Sequence, residues 1–248
     1  MFSRNLRVVR VVFSLAFVLC ISSRVVQANL YLTAHDVGWY NSVGDHPKFA
    51  KSYMMGSAGA FDGLFYRSYF VFDLATITQP IRSAQIQLYT DSGGYASPDL
   101  FEKVNFFDVS TPISTLMYGN TGQTGIHDDL GTGTIYGASL VSATTTPRWF
   151  SATLNSAGLA MLNAGLGTKV AIGGSLGSIG RPGQPVNELV YTTSFMTSGA
   201  RLYLTYNTTA PGGFAALSAV PEPSTLAGAV AAMVLGGATM LRRRRVDA

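Results

Sequence analysis

Two stretches near the middle of the chain set the reading of the rest. Tyr66 to Leu74 (YRSYFVFDL) carries Phe70, Phe72 and Leu74 on one side and Tyr69, Val71 and Asp73 on the other. Arg82 to Thr90 (RSAQIQLYT) alternates more cleanly, with Ala84, Ile86 and Leu88 against Gln85, Gln87 and Tyr89. A period of two places alternate residues on opposite faces, so both stretches predict strands, the second half-buried. Gln79-Pro80 supplies the turn between them. Further strands are expected at Leu30–Thr33, Val104–Val109, Thr134–Ser139, Trp149–Leu154, Val170–Gly174, Glu188–Phe195 and Arg201–Tyr206. One helix is expected, capped by Asn155 or Ser156, with Leu159, Ala160 and Leu162 on its apolar side and Gly165 or Gly167 at its end. Many strands with one short helix predict an all-β fold, a jelly-roll-like β-sandwich spanning 29–206.

Both ends depart from that alternation. Residues 1–28 have the order of a secretory signal: Arg4, Arg7 and Arg10, then the apolar run Val11 to Ile21, then Val26-Gln27-Ala28. Eleven apolar residues are too few to span a bilayer, and the expected cut falls between Ala28 and Asn29, made by a signal peptidase. Leu19 stands where a lipoprotein signal needs a small residue before its cysteine, so Cys20 is not read as a lipidation site. After a Gly/Pro-punctuated linker at 207–219 come Pro221-Glu222-Pro223, the apolar run Leu226 to Leu241, and Arg242, Arg243, Arg244 and Arg245. Sixteen residues as a helix cover about 24 Å against a hydrocarbon core of about 30 Å. The four arginines hold the far end in the cytoplasm and snorkel to the lipid interface. The expectation is a signal helix before the sandwich and a transmembrane helix after it.

The 220–248 order of Pro-Glu-Pro, weak span and basic cluster resembles the PEP-CTERM sorting signal. The resemblance implies export across the inner membrane of a Gram-negative-type bacterium and processing near Pro221, Glu222 and Pro223 by an exosortase. It also implies a destination at the cell surface or in the extracellular matrix. Two prolines without amide hydrogens keep this segment extended and open to a protease cleft. The pair RSYFVFDL and RSAQIQLYT resembles a pattern in secreted β-sandwiches, some of which resemble carbohydrate-binding modules. GTGTIYG, LNSAGLAMLNAGLG and AIGGSL are similar to segments of PEP-CTERM proteins carrying such a domain. That likeness implies a fold, not a reaction.

Composition narrows the function. The 248 residues carry 17 Lys+Arg and 13 Asp+Glu, with a mean hydropathy of +0.25 and a pI near 9.2. Eight of the basic residues belong to the two ends, leaving nine against eleven acids between residues 29 and 220. A mildly acidic domain has no electrostatic footprint for nucleic acid. The single cysteine lies in the leader, so burial rather than disulfides must hold the domain together.

No catalytic set assembles from the sequence, and the chain reads as a non-enzyme. Gly173-Gly174-Ser175-Leu176-Gly177 matches a nucleophile elbow in letters, but no helix is expected after the serine and no histidine follows His127. His127-Asp128-Asp129 lacks a metal-ligand spacing. No cofactor and no metal are expected, although Asp36 and Asp45 with backbone carbonyls offer the oxygen ligands calcium takes. The stretch His35 to Phe49, read as a loop, places Trp39 and Tyr40 among Asp36 and Asp45. A flat ring beside carboxylates suits a sugar, while the plainer reading has Trp39 filling a sandwich edge. The expected function is a structural or interaction protein of the cell surface or matrix; the alternative is a carbohydrate-binding module for extracellular polysaccharide.

Overall fold

The computed structural model describes residues 26–208, apart from 50, 120, 146–147, 178–185 and 193–196. The rest of the leader, the linker from 209 onward, the Pro-Glu-Pro motif, the apolar run and the four terminal arginines lie outside the described residues. In chain order the elements are β1 (Val26–Thr33), β2 (Asp36–Asn41), β3 (Met54–Ala58), β4 (Phe65–Asp73), β5 (Ile81–Thr90), β6 (Tyr95–Ala96), β7 (Glu102–Phe107), α1 (Ile113–Tyr118), α2 (Thr124–Asp129), β8 (Ile135–Val141), β9 (Arg148–Thr153), α3 (Ser156–Ala164), β10 (Lys169–Leu176), β11 (Asn187–Tyr191) and β12 (Ala200–Thr208). None of the described helices is long and apolar enough to cross a membrane.

The strands form two wholly antiparallel sheets. The smaller has the order β1-β12-β5-β9; the larger runs β6-β11-β3-β4-β10-β7-β8, with β2 also on β4. The main core lies where their inner faces meet. Ala84, Ile86 and Leu88 of β5 and Leu202 and Leu204 of β12 pack with Phe70 and Phe72 of β4 and Val104 and Phe106 of β7. Alternation therefore decides burial on β5: Ile86 and Leu88 are fully enclosed, while Gln85, Gln87 and Tyr89 are half-exposed. The apolar surface removed from water along these strands is the main stabilising term for a domain without disulfides.

β4 is buried on both faces, which explains why its sequence reads as a nearly continuous apolar run. Phe70 and Phe72 enter the sandwich. Tyr69 and Val71 instead lie in a second cluster with Tyr40, Leu116, Ile126 and Leu130, where α1 and α2 cover the outside of the larger sheet. These two helices correct the expectation of a single one. Neither has a side-chain cap, and each spans only six residues, too few to be stable alone. They persist because they are anchored. The Tyr40 hydroxyl donates to the Leu116 carbonyl at 2.9 Å. Arg67 donates to the His127 and Asp128 carbonyls at 3.0 Å each, placing a cation at the negative end of α2. Asp129 accepts backbone and hydroxyl hydrogen bonds from Ser110 and Thr111 at 2.6–3.2 Å. Gly38 lies opposite Tyr69 in the β2–β4 pair, and a Cβ there would come within 2.5 Å of the Tyr69 hydroxyl.

The expected helix is α3. Asn155 accepts from Ala157 and Gly158 at 3.0 Å each, and Gly165 closes the last turn. Six of the fifteen residues from His35 to Phe49, read as a loop, form strand β2. Gly38 and several polar neighbours hide its periodicity, and its pairing with β4 overrides the weak local preference. The expected cut between Ala28 and Asn29 falls inside β1, opposite Tyr206 and Thr205. A chain beginning at Asn29 keeps the pairs from Asn29–Thr205 to Thr33–Arg201.

Candidate functional site

The aromatic stretch singled out in the sequence does not form one surface. Neighbours on a strand point to opposite faces, and β2 separates its two rings accordingly. Tyr40 is fully buried beneath the helix layer, stacked on His46 with centroids 4.6 Å apart, and burial pushes its phenol up to about 12. Trp39 points the other way and packs edge-on against Tyr66 at 5.0 Å. Asp36 is buried, holding Lys51 at 2.6 Å and the Val37 amide at 2.8 Å. Asp45 is half-exposed in a turn closed by Asn41, whose side chain accepts from the Asp45 amide at 2.8 Å. Asp36 shares with Tyr40 the even-numbered face of β2, whereas Asp45 lies in the turn beyond the end of the strand. Among the described residues no group of three His, Cys, Asp or Glu gathers around a common point.

The other sequence motifs are absorbed by the fold. Ser175 continues β10 rather than turning into a helix, and its buried hydroxyl donates to the Leu176 carbonyl at 3.1 Å. Asp128 is exposed, 3.7 Å from Arg67, while Asp129 fastens α2 to the chain after β7. Burial pushes the Asp129 carboxyl up, but the Ser110 and Thr111 hydrogen bonds outweigh it and hold the group below its ordinary value.

A different set of side chains is presented together on the outer face of the smaller sheet. Its register builds rows across four strands. One row reads Thr33–Arg201–Gln87–Ser151, and the next Tyr31–Tyr203–Gln85–Thr153. Asn29, Thr205 and Ser83 follow on one side, and Tyr89 beside Trp149 on the other. These are the odd-numbered positions, whose even-numbered neighbours fill the core. Every outward position of the sheet named here is at least partly exposed; Tyr31 is 56% and Trp149 39% exposed.

Rings and amides on this face support one another. Tyr31 and Tyr203 stand directly opposite with centroids 4.9 Å apart. Tyr89 and Trp149 are 5.7 Å apart. The Arg201 guanidinium carbon lies 4.4 Å from the centre of the Tyr31 ring and 3.9 Å from that of Trp149. Its Nε donates to Gln87 at 2.8 Å, and Gln87 in turn donates to Gln85 at 3.4 Å. The result is a band of exposed π-surface crossing all four strands, edged by amides and hydroxyls, with no carboxylate among these positions. Chemically it offers flat apolar faces plus neutral donors and acceptors, the combination that meets a pyranose ring and its hydroxyls.

No family model and no curated protein matches the chain. The face was also missed in the sequence, although a signal was present. In Tyr31, Trp149, Arg201 and Tyr203 the large side chain occupies the solvent side of an alternating strand, where short polar residues are the ordinary choice.

Proposed function

We propose that the chain is an exported cell-surface or extracellular-matrix interaction protein whose folded part binds polysaccharide across the outer face of the β1-β12-β5-β9 sheet. The observation that carries this reading is the exposed Tyr31–Tyr203–Arg201–Trp149–Tyr89 band with Gln85 and Gln87 beside it. A sugar ring laid on an aromatic face loses apolar surface to water, while its hydroxyls exchange water for amides. The sheet supplies rigidity, so few rotamers are lost on binding. The binding site thus belongs to the sheet and not to the Trp39 and Tyr40 stretch. The two antiparallel sheets fit a jelly-roll-like sandwich carrying this face on one side.

The ends of the chain supply the routing in this reading. The leader takes the chain to the export machinery, and the tail holds it at the membrane until an exosortase cuts near Pro221-Glu222-Pro223. Intact-mass analysis in a host carrying an exosortase tests this step; the mature protein is expected to lack roughly its last 25 residues, the stretch that follows Pro223. A retained tail overturns it.

Affinity electrophoresis of the folded part through gels containing polysaccharides tests the binding itself. Retardation is expected for at least one polysaccharide, reduced by Trp149→Ala and by Tyr31→Ala with the thermal midpoint little changed. Unretarded migration through every polysaccharide, with the fold intact by circular dichroism, overturns it.

A further inference from the structure

We propose that the polysaccharide is acidic, and that Arg201 receives a carboxylate from one of its uronic acid units. This rests on the binding face described above and specifies its chemistry. Arg201 is the one charged side chain in the rows of outward residues named above, and it stands in the middle of the band; Arg82 and Arg148, also exposed on this sheet, lie outside those rows. Its Nε is engaged by Gln87, whereas its two terminal nitrogens make no hydrogen bond and no ion pair with any described residue. Its guanidinium carbon lies over the Tyr31 ring and over the Trp149 ring. The terminal N–H groups are what is left for a ligand.

Those donors are the part of arginine that fits a carboxylate, because two parallel N–H groups match its two oxygens. An arginine with a structural task finds a carbonyl or carboxylate for these groups, as Arg67 does at the end of α2. Arg201 instead contacts two rings, in a shallow, partly dehydrated setting where a charge-assisted hydrogen bond is worth more than in open water. Its side-chain freedom is already spent on those rings, so a ligand carboxylate need not order it again. The rings adjacent to it provide the stacking surface for the same sugar unit or its neighbour. Residues 29–220 carry nine basic and eleven acidic side chains, so the attraction is local to Arg201 and not a field of the whole domain.

The test compares the same polymers with and without their charge. Alginate, polygalacturonate and xanthan are presented in affinity gels, each beside a carboxyl-reduced form in which every uronate has become a primary alcohol. Stronger retardation by at least one acidic polymer than by its reduced form is expected, by about tenfold or more in affinity, the scale of a hydrogen bond to a charged group. Added salt should weaken the acidic interaction and leave the residual one unchanged. Arg201→Gln should bind the acidic polymer no better than wild type binds the reduced form. Arg201→Lys, which keeps the charge without the planar fork, should fall between them. Equal binding to the acidic and reduced forms, or an Arg201→Gln variant as tight as wild type, overturns the proposal and leaves polysaccharide binding standing. Retention by neutral polysaccharides alone has the same consequence. No retention by any polymer, acidic or neutral, removes both the proposal and the reading beneath it. The reduced polymers act on the unmodified protein, so the result does not depend on the variants folding.

Discussion

Arg201 and Trp149 meet across an intervening strand: the guanidinium carbon of one lies 3.9 Å from the ring centre of the other, with β5 running between their backbones. Neither residue needs this contact to fill the core, since both project from the outer face. The contact predicts a measurable coupling. In a double-mutant cycle of Arg201→Ala and Trp149→Ala, urea unfolding should give a coupling energy of about 0.5–1 kcal/mol, the range for a cation over a partly exposed ring. Strictly additive single effects would show that ring and guanidinium do not hold each other.

The sandwich core should respond far more strongly. Phe70 and Ile86 are fully buried and face one another's sheets within the main cluster. Phe70→Ala should cost about 3–5 kcal/mol and Ile86→Ala about 2–5 kcal/mol, because each leaves a cavity as well as losing its transfer energy. Denaturant midpoints give the values directly, and a loss below about 1 kcal/mol at either position would contradict this packing.

Asp129 ties α2 to the chain that follows β7, and its charge is part of the tie. Its carboxyl is held below the ordinary value, so the unfolded chain takes up a proton more readily than the folded one. The stability it contributes is present above the unfolded value of 3.8 and is lost as pH falls through the lower folded value. Asp129→Asn should therefore destabilise at about pH 7, by roughly 1–3 kcal/mol for hydrogen bonds to a charged group, and the gap to wild type should narrow as pH falls towards about 2. Thermal melts at the two values of pH decide it; an unchanged gap in acid would refute the charge's role.

His46 and His127 work in the opposite part of the pH range. Burial lowers both from 6.5; the Trp39 and Met117 backbone and Asp36 oppose this at His46, where Lys51 adds to it, and at His127 Arg67 adds to it while Asp128 opposes. The folded protein thus binds fewer protons than the unfolded chain just below 6.5. Stability should decline as pH drops below that point and level off beneath the folded values. Urea melts at about pH 7.5 and about pH 5.5 should show a difference that His46→Gln with His127→Gln largely abolishes. A double variant with the same decline would place the titrating groups elsewhere.

How much of this was readable beforehand follows residue by residue. β5 declared itself because Ala84, Ile86 and Leu88 alternate with polar partners, and α3 because Asn155 caps it and Gly165 ends it. β3 did not, since Met54–Ala58 (MMGSA) has weak strand preference and Gly56 in it adopts φ +123°. α1 and α2 are too short to carry a helical stripe, and their apolar residues make sense only against Tyr69 and Val71. Grouping Trp39 with Tyr40 rested on adjacency in sequence, which a strand does not turn into adjacency in space. Trp39 and Tyr40 are consecutive and therefore face apart, whereas Tyr31, Gln87, Trp149 and Arg201 come from four strands and face together.

The residues themselves determined which positions share a face, because a strand's side chains alternate whatever its neighbours are. They also determined the two unusual ends, whose length and charge require no fold to be read. Only the tertiary structure decided the order of the strands, and with it which outward side chains stand in one row. Hydrogen-bonded register is a property of pairs of strands, so Arg201 acquired its two rings and its glutamine when β12 settled between β1 and β5, and β9 closed beside them.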